Sequence, residues 1–302
     1  MIPIKKFERS YDISLKKQYV FFQKHNFKVI DETVNPYDNT LHGLTSIFYL
    51  DYIFDSENNL KSHIKNYFPT ILKDEYNLPP LLQKLKKLDY DFKWAGNYFA
   101  LCANTNIKFC LNLNQNQFID LYLLVNFFKQ SPTIQIANMI GKVIKFDVNK
   151  EILYELNNGI GRLINFLEKN SSVDKLKPTF YFIHHMSPHY PYLTREDCSY
   201  KFTPGEINYE GYKSAYLCDL QRISEFINFI DKKDPNSFIV FQSDHGWKFE
   251  ENDKKDKKKI FNLVRLNSKC ELDHDINYNN VNILRLIFSC IDGQKAKYKL
   301  SN

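Results

Sequence analysis

A chain of 302 residues is long enough for one large α/β domain, and its 41 basic against 35 acidic side chains give only +6, with no concentrated basic arm; nucleic acid is therefore excluded as a first partner. An apolar fraction of 43%, including 25 Phe and 20 Tyr, argues for a folded globule. Its six cysteines show no C-x-x-C spacing, which excludes a zinc ribbon and a redox dithiol and leaves disulfide pairing open. No run approaches the roughly 20 apolar residues of a membrane span, and the first residues lack the basic and apolar regions of a signal peptide, so the chain as written reads as soluble and cytoplasmic.

In chain order, Asp12 to Asn26 reads as a helix and Phe27 to Ile30 as a short strand. Asn35-Pro36-Tyr37-Asp38-Asn39 has turn chemistry. Thr40 to Tyr52 follows with apolar residues at three- and four-residue spacing, a helix whose cap region contains Asn39 and Thr40. Pro79-Pro80 precedes a helix over Leu81 to Leu88, and Asp91 to Gly96 reads as a strand. Phe118 to Lys129 and Lys150 to Glu168 are helical segments, the second amphipathic. Pro178 to His184 has a buried-strand pattern, Ile207 to Ile230 is a long helix, Ile260 to Leu266 is a strand and Val281 to Cys290 a closing helix. Strands alternating with helices predict an α/β three-layer sandwich, a mainly parallel sheet between helices, in one domain over residues 1–302, with the site at the strands' carboxyl ends. The charged run Lys254 to Lys259 is interspersed with acidic neighbours and reads as a solvated loop.

Three places carry chemistry. Ser237 to Lys248 is a run of β-formers that stops at Ser243-Asp244-His245-Gly246, which delivers a carboxylate and an imidazole together to a strand tip, the makings of a metal site or, more plainly, of a capped turn. Thr40 sits at a helix amino terminus, where it either caps the helix or uses the exposed N–H groups and positive dipole end to attack or carry phosphate. His184, His185 and His189 cluster at the end of another strand; the first two read as structural, while His189, between Pro188 and Pro191, is the better ligand or substrate contact.

With these residues in this order, the chain resembles the alkaline phosphatase superfamily, and more narrowly its sulfatase-like branch that includes phosphoethanolamine and phosphoglycerol transferases of bacterial envelopes. The matching segments are Asn35 to Phe54, Phe180 to Tyr192, Phe238 to Gly246 and Asn280 to Phe288. The resemblance implies an alkaline-phosphatase-like fold in which Thr40 is the nucleophile that takes up the phosphoryl group and touches the metal. It implies Asp244 and His245 as ligands of zinc or manganese, and His189 as a contact to the substrate or transferred group. A C/S-x-P-x-R motif, from which sulfatases make formylglycine, is absent from the sequence, so phosphate-ester chemistry on a phospholipid-derived or glycan substrate is expected over sulfate-ester cleavage.

Members of this branch begin with a hydrophobic strand ending in an acidic metal ligand, and no such strand precedes the helix near Asp12. Two expectations follow. Either Met1 is internal to a longer native protein that supplies the strand and membrane-spanning helices, or the chain is a truncated, non-catalytic member that binds an envelope component or a partner protein. The resemblance implies an inner-membrane protein with a periplasmic or extracellular catalytic domain.

Overall fold

The helix expected over Asp12 to Asn26 is shorter, and another helix precedes it. In the computed structural model, which describes residues 1–72, 77–96, 110–112, 159–170, 177–190, 192–205, 209–247, 256–268 and 270–300, α1 spans Ile4–Tyr11 and α2 Lys16–Lys24. Asp12 is not helical. It takes a left-handed conformation (φ 49°) that closes α1, its N–H donating to the Glu8 carbonyl, while the Glu8 carboxylate accepts the Leu15 N–H at 2.6 Å. The missed helix α1 buries Ile4 and Phe7, a spacing of three that its Lys, Glu and Arg neighbours mask in the sequence.

The remaining elements are β1 (Lys28–Val29), α3 (Thr40–Tyr49), α4 (Pro80–Lys87), β2 (Asp91–Gly96), β3 (Cys110–Asn112), α5 (Gly159–Asn170), β4 (Thr179–Ile183), β5 (Tyr192–Thr194), β6 (Tyr200–Gly205), α6 (Tyr209–Lys233), β7 (Ile239–Gln242), β8 (Asn262–Arg265) and α7 (Asn282–Asp292). The chain is thus a mixed α/β protein. The helix expected over Phe118 to Lys129 and the first half of that over Lys150 to Glu168 lie outside the described residues.

The described residues fall into two compact units, the first made of Met1–Phe92, Lys177–Phe180 and Ile227–Asn302, the second of Lys93–Leu176 and Tyr181–Phe226. In the first unit the sheet runs β1-β8-β7, and both pairings are antiparallel, with Lys28 opposite Val264 and Val240 opposite Val264. The mainly parallel expectation does not hold in this sheet. β7 and β8 pair antiparallel along their length, from Ile239 opposite Arg265 to Gln242 opposite Asn262. The core of this unit is built from Phe7, Phe22, Phe48, Ile53, Phe261 and Leu263, each 2% exposed or less.

Two polar clusters, partly open to solvent, border that core. Arg265 at the end of β8, 4% exposed, binds the Asp231 carboxylate, donates to the Ser237 hydroxyl at 3.1 Å and lies over the Phe27 ring at 5.2 Å. His25 Nδ1 lies 2.5 Å from the other Asp231 oxygen. Asp51, after α3, receives Lys61 at 3.2 Å and Lys299 at 3.1 Å. For both carboxyls burial is the largest single influence and pushes them up, but hydrogen bonds outweigh it, from Lys299 and Lys61 at Asp51 and from His25 and Arg265 at Asp231, so both lie below the ordinary carboxylate range. A folded value below the unfolded one means stability that is present above the unfolded pKa of about 4 and is lost as pH falls through the folded values. Denaturant midpoints should therefore be flat near neutrality and drop below about pH 4, and replacing Asp51 by Asn should flatten that drop.

In the second unit β2 and β3 pair in parallel, Trp94 opposite Cys110, in a sheet ordered β3-β2-β4. Trp94 stacks on Phe182 at 5.2 Å. The hairpin of β5 and β6 turns at Cys198, which is disulfide-bonded to Cys218 on α6. In the first unit Cys270 pairs with Cys290 and ties the loop after β8 to α7. The open question of cysteine pairing is thereby answered for these four residues. No described helix is long and apolar enough to cross a membrane.

Candidate functional site

Thr40 is the first residue of α3, but it does not cap it. The N-cap is Asn39, in extended conformation (φ −146°), whose Oδ1 accepts the His42 N–H at 3.0 Å. Its Nδ2 bridges the Asp38 carboxylate at 3.2 Å and His42 Nδ1 at 3.1 Å. The half-buried Thr40 hydroxyl makes no hydrogen bond with any described residue, so the bland role weighed for it is filled by its neighbour.

The surroundings set the local charge. Burial, the largest influence, lowers the pKa of His42, and nearby Asp38 offsets this only in part, so the imidazole is neutral near pH 7. Its ring is boxed by Tyr37 at 5.7 Å, Phe54 at 5.2 Å and Tyr67 at 5.9 Å. Burial raises Asp38, but the Asn39 amide together with Lys257 and Lys258 outweighs it and holds the carboxyl below its ordinary range. Tyr37, which accepts the Ile53 N–H at 2.7 Å, is pushed up to about 12, chiefly by burial.

β7 ends where the sequence places its tip. Asp244 Oδ1 accepts the His245 N–H at 2.9 Å, and His245 Nδ1 faces the Gly246 carbonyl at 2.7 Å. A carbonyl can only accept, so Nδ1 carries the proton and Nε2 the lone pair. That Nε2 lies 3.8 Å from Asp244 Oδ2. An imidazole nitrogen and a carboxylate oxygen at this separation fit two positions around one divalent ion with bonds of about 2.0–2.2 Å. No group of three or more His, Cys, Asp or Glu suited to a metal occurs among the described residues. Met1 lies against the same tip, its amine donating to the His245 carbonyl at 3.3 Å and its carbonyl accepting from the Ser243 hydroxyl at 2.7 Å and the Phe261 N–H at 3.1 Å.

The structure brings α3 and the β7 tip together within the first unit. A Cβ on Gly43 would stand 3.0 Å from the Asp244 carbonyl oxygen and 3.4 Å from the Asp244 Cβ, so any side chain there would force the β7 tip to give by a few tenths of an ångström, and glycine lets the helix that starts at Thr40 lie this close. The Asp244 carbonyl also accepts Nδ2 of Asn35 at 2.5 Å and of Asn280 at 3.5 Å. These asparagines and Gly43 are site residues that the sequence reading passed over. Their only local signal was turn chemistry, Asn35 beside Pro36 and four asparagines within Asn277 to Asn282.

His189 belongs to the second unit. It is exposed on the turn after β4, its N–H donating to the Met186 carbonyl at 2.8 Å and its Nδ1 facing the Tyr190 carbonyl at 2.5 Å. That leaves Nε2 as its outward nitrogen. His185, read as structural, reaches the buried Asp219 on α6 at 3.3 Å.

No family model and no curated protein matches the sequence. Solved structures do. Ps i-CgsB in complex with k-i-k-neocarrahexaose matches with a TM-score of 0.54 at 13% identity, over 94% of this chain and 67% of that one. The C-terminal periplasmic domain of EcEptC from Escherichia coli matches with a TM-score of 0.56 at 13% identity, over 89% of this chain and 72% of that one; the same domain is also known in complex with Zn. The lipoteichoic acid synthase LtaP from Listeria monocytogenes matches with a TM-score of 0.50 at 13% identity, over 91% of this chain and 66% of that one. The chain therefore shares its fold with these solved structures.

Proposed function

We propose that this chain is a phosphotransferase or phosphodiester hydrolase of the sulfatase-like type, acting through a phosphorylated Thr40. The observation that carries the reading is the close approach of Gly43 on α3 to Asp244 at the tip of β7, which brings the helix of an unencumbered hydroxyl against a carboxylate–imidazole pair. In the first step the Thr40 oxygen forms a bond to phosphorus, the ester oxygen of the leaving group departs with its electron pair, and the hydroxyl proton is released. In the second an acceptor hydroxyl of a sugar, lipid or water takes the phosphoryl group and restores Thr40. The amino terminus of α3 favours the negative charge that gathers on the phosphoryl oxygens. His189 is the proposed contact to the substrate or transferred group.

Asp244 and His245, with Thr40, would hold a divalent ion, zinc or manganese. When bound it would lower the hydroxyl's pKa and neutralise phosphoryl charge. A Zn complex of one neighbour, the glycan bound to another and the lipoteichoic acid synthase activity of a third support an envelope lipid or glycan phosphate as substrate. The two disulfides suit an oxidising compartment, consistent with a periplasmic or extracellular site of action. The mainly parallel three-layer arrangement of the branch belongs to the same proposal.

A second reading, a non-catalytic member that binds an envelope component or a partner protein, is favoured by the lack of a third metal ligand among the described residues. Burst kinetics separate the two. With manganese or zinc and bis(4-nitrophenyl) phosphate, the enzyme reading expects a burst of nitrophenolate approaching one equivalent per chain, followed by a slower steady rate. Release no faster than in buffer would leave the binding reading standing.

A further inference from the structure

The Asp244 carbonyl is held by residues far from it in sequence. Asn35 and Asn280 each donate Nδ2 to it, at 2.5 and 3.5 Å, and the Gly43 backbone closes its third side. Both asparagines are almost completely buried, at 0% and 1% exposure, and in both the Oδ1 atom has no hydrogen-bond partner. Burying a carboxamide with its oxygen unpaired is unfavourable, and two such groups converging on one acceptor is a poor choice if stability alone were served. An apolar side chain would fill either place at lower cost. What the two amides do secure is the orientation of one peptide plane.

That plane matters because it joins Asp244 to His245. With the carbonyl fixed, the His245 N–H points back to Asp244 Oδ1 at 2.9 Å, and the pinned carboxylate turns its other oxygen toward His245 Nε2, 3.8 Å away. If the peptide rotated, the N–H would leave Oδ1 and the carboxylate would lose this hydrogen bond. We infer that Asn35 and Asn280 are positioning residues, which lock the Asp244–His245 peptide so that the carboxylate and the imidazole face one another at the distance the proposed chemistry needs. The inference rests on the function proposed above.

A buried control is at hand. Asn262 at the start of β8 is also 1% exposed with an unpaired Oδ1, but its Nδ2 bonds Thr33 Oγ1 at 3.0 Å and the Tyr278 carbonyl at 2.9 Å and does not touch Asp244. The test compares wild type with Asn280→Leu, Asn35→Asp and Asn262→Leu. Calorimetric titration with manganese alone measures cation binding, bis(4-nitrophenyl) phosphate measures turnover, and thermal melting measures stability. Asn280→Leu and Asn35→Asp should each weaken manganese binding and lower kcat by about 10- to 100-fold in proteins that still melt cooperatively. Asn262→Leu should shift the melting temperature but neither manganese affinity nor kcat.

Manganese affinity and kcat unchanged in the two Asp244-contacting variants, or lowered equally in Asn262→Leu, would overturn the positioning role. Should Asn35→Asp fail to fold, Asn280→Leu alone decides. An inactive wild type that binds no manganese would instead overturn the function itself, and the role with it.

Discussion

Thr40→Ala is expected to remove turnover of a phosphodiester by about 1,000-fold or more, equivalent to about 4 kcal/mol of transition-state stabilisation, while leaving the melting temperature within a few degrees of wild type. The second half follows from the cap. Asn39 satisfies the His42 N–H, the Thr40 hydroxyl bonds to nothing described, and alanine is a better helix former than threonine, by a few tenths of a kcal/mol. The loss of activity follows from the absence of a substitute nucleophile at the tip, where Leu41 and Gly43 offer none and His42 has its Nδ1 engaged by Asn39. Thr40→Ser should retain measurable turnover, because it keeps the hydroxyl. A Thr40→Ala protein as active as wild type would remove Thr40 from the chemistry whatever its stability.

The largest effect on stability is expected at Arg265. Its guanidinium is 4% exposed and ties β8 to Asp231 on α6 and to Ser237 ahead of β7, with the Phe27 ring against its face. Arg265→Met keeps much of the volume but leaves Asp231 with His25 as its remaining partner, while the Ser237 hydroxyl keeps its bond to the Asp234 carbonyl. Breaking a buried pair from one side costs about 3 kcal/mol, and the partial exposure of Asp231 keeps the figure at the low end of the usual range. Urea unfolding should show that loss as a lower midpoint with an unchanged slope. A midpoint within experimental scatter of wild type would mean that the cluster contributes no net stability. Replacing Asp231 and Arg265 together by Leu and Met should restore part of it, since the uncompensated charge then disappears as well.

What the sequence made legible was local. The periodicity of Thr40 to Tyr49, the β-formers that end at Asp244-His245 and the strand before His184 are patterns over a few residues, and each forms an element close to where it is expected. Strand direction was harder. The spacing of elements cannot distinguish a loop return from a crossover, so the antiparallel β7 and β8 were not foreseen. The helix α1 was missed because its apolar face is only Ile4 and Phe7, short of the recurrence that marks a longer helix.

The clamp on Asp244 was out of reach for a different reason. Asn35 lies 209 residues from Asp244 and Asn280 lies 36, and an asparagine in a Pro- and Asn-rich stretch is read correctly as turn-forming. Nothing in one sequence says that its amide will meet a distant carbonyl. The same holds for Gly43, whose small size looks like a weakness inside a helix until Asp244 is found 3.0 Å from the place its Cβ would occupy.

The measurement that addresses Thr40 most directly is the mass of the peptide that carries it. The wild-type protein is incubated with manganese or zinc and bis(4-nitrophenyl) phosphate, quenched in acid during the burst, digested and sequenced by mass spectrometry. A nitrophenylphosphoryl group on Thr40, absent from the Thr40→Ala protein, is the result expected of an enzyme that works through this hydroxyl. Steady release of nitrophenolate with Thr40 unmodified at every time of quench, or the group found on another residue, would contradict it.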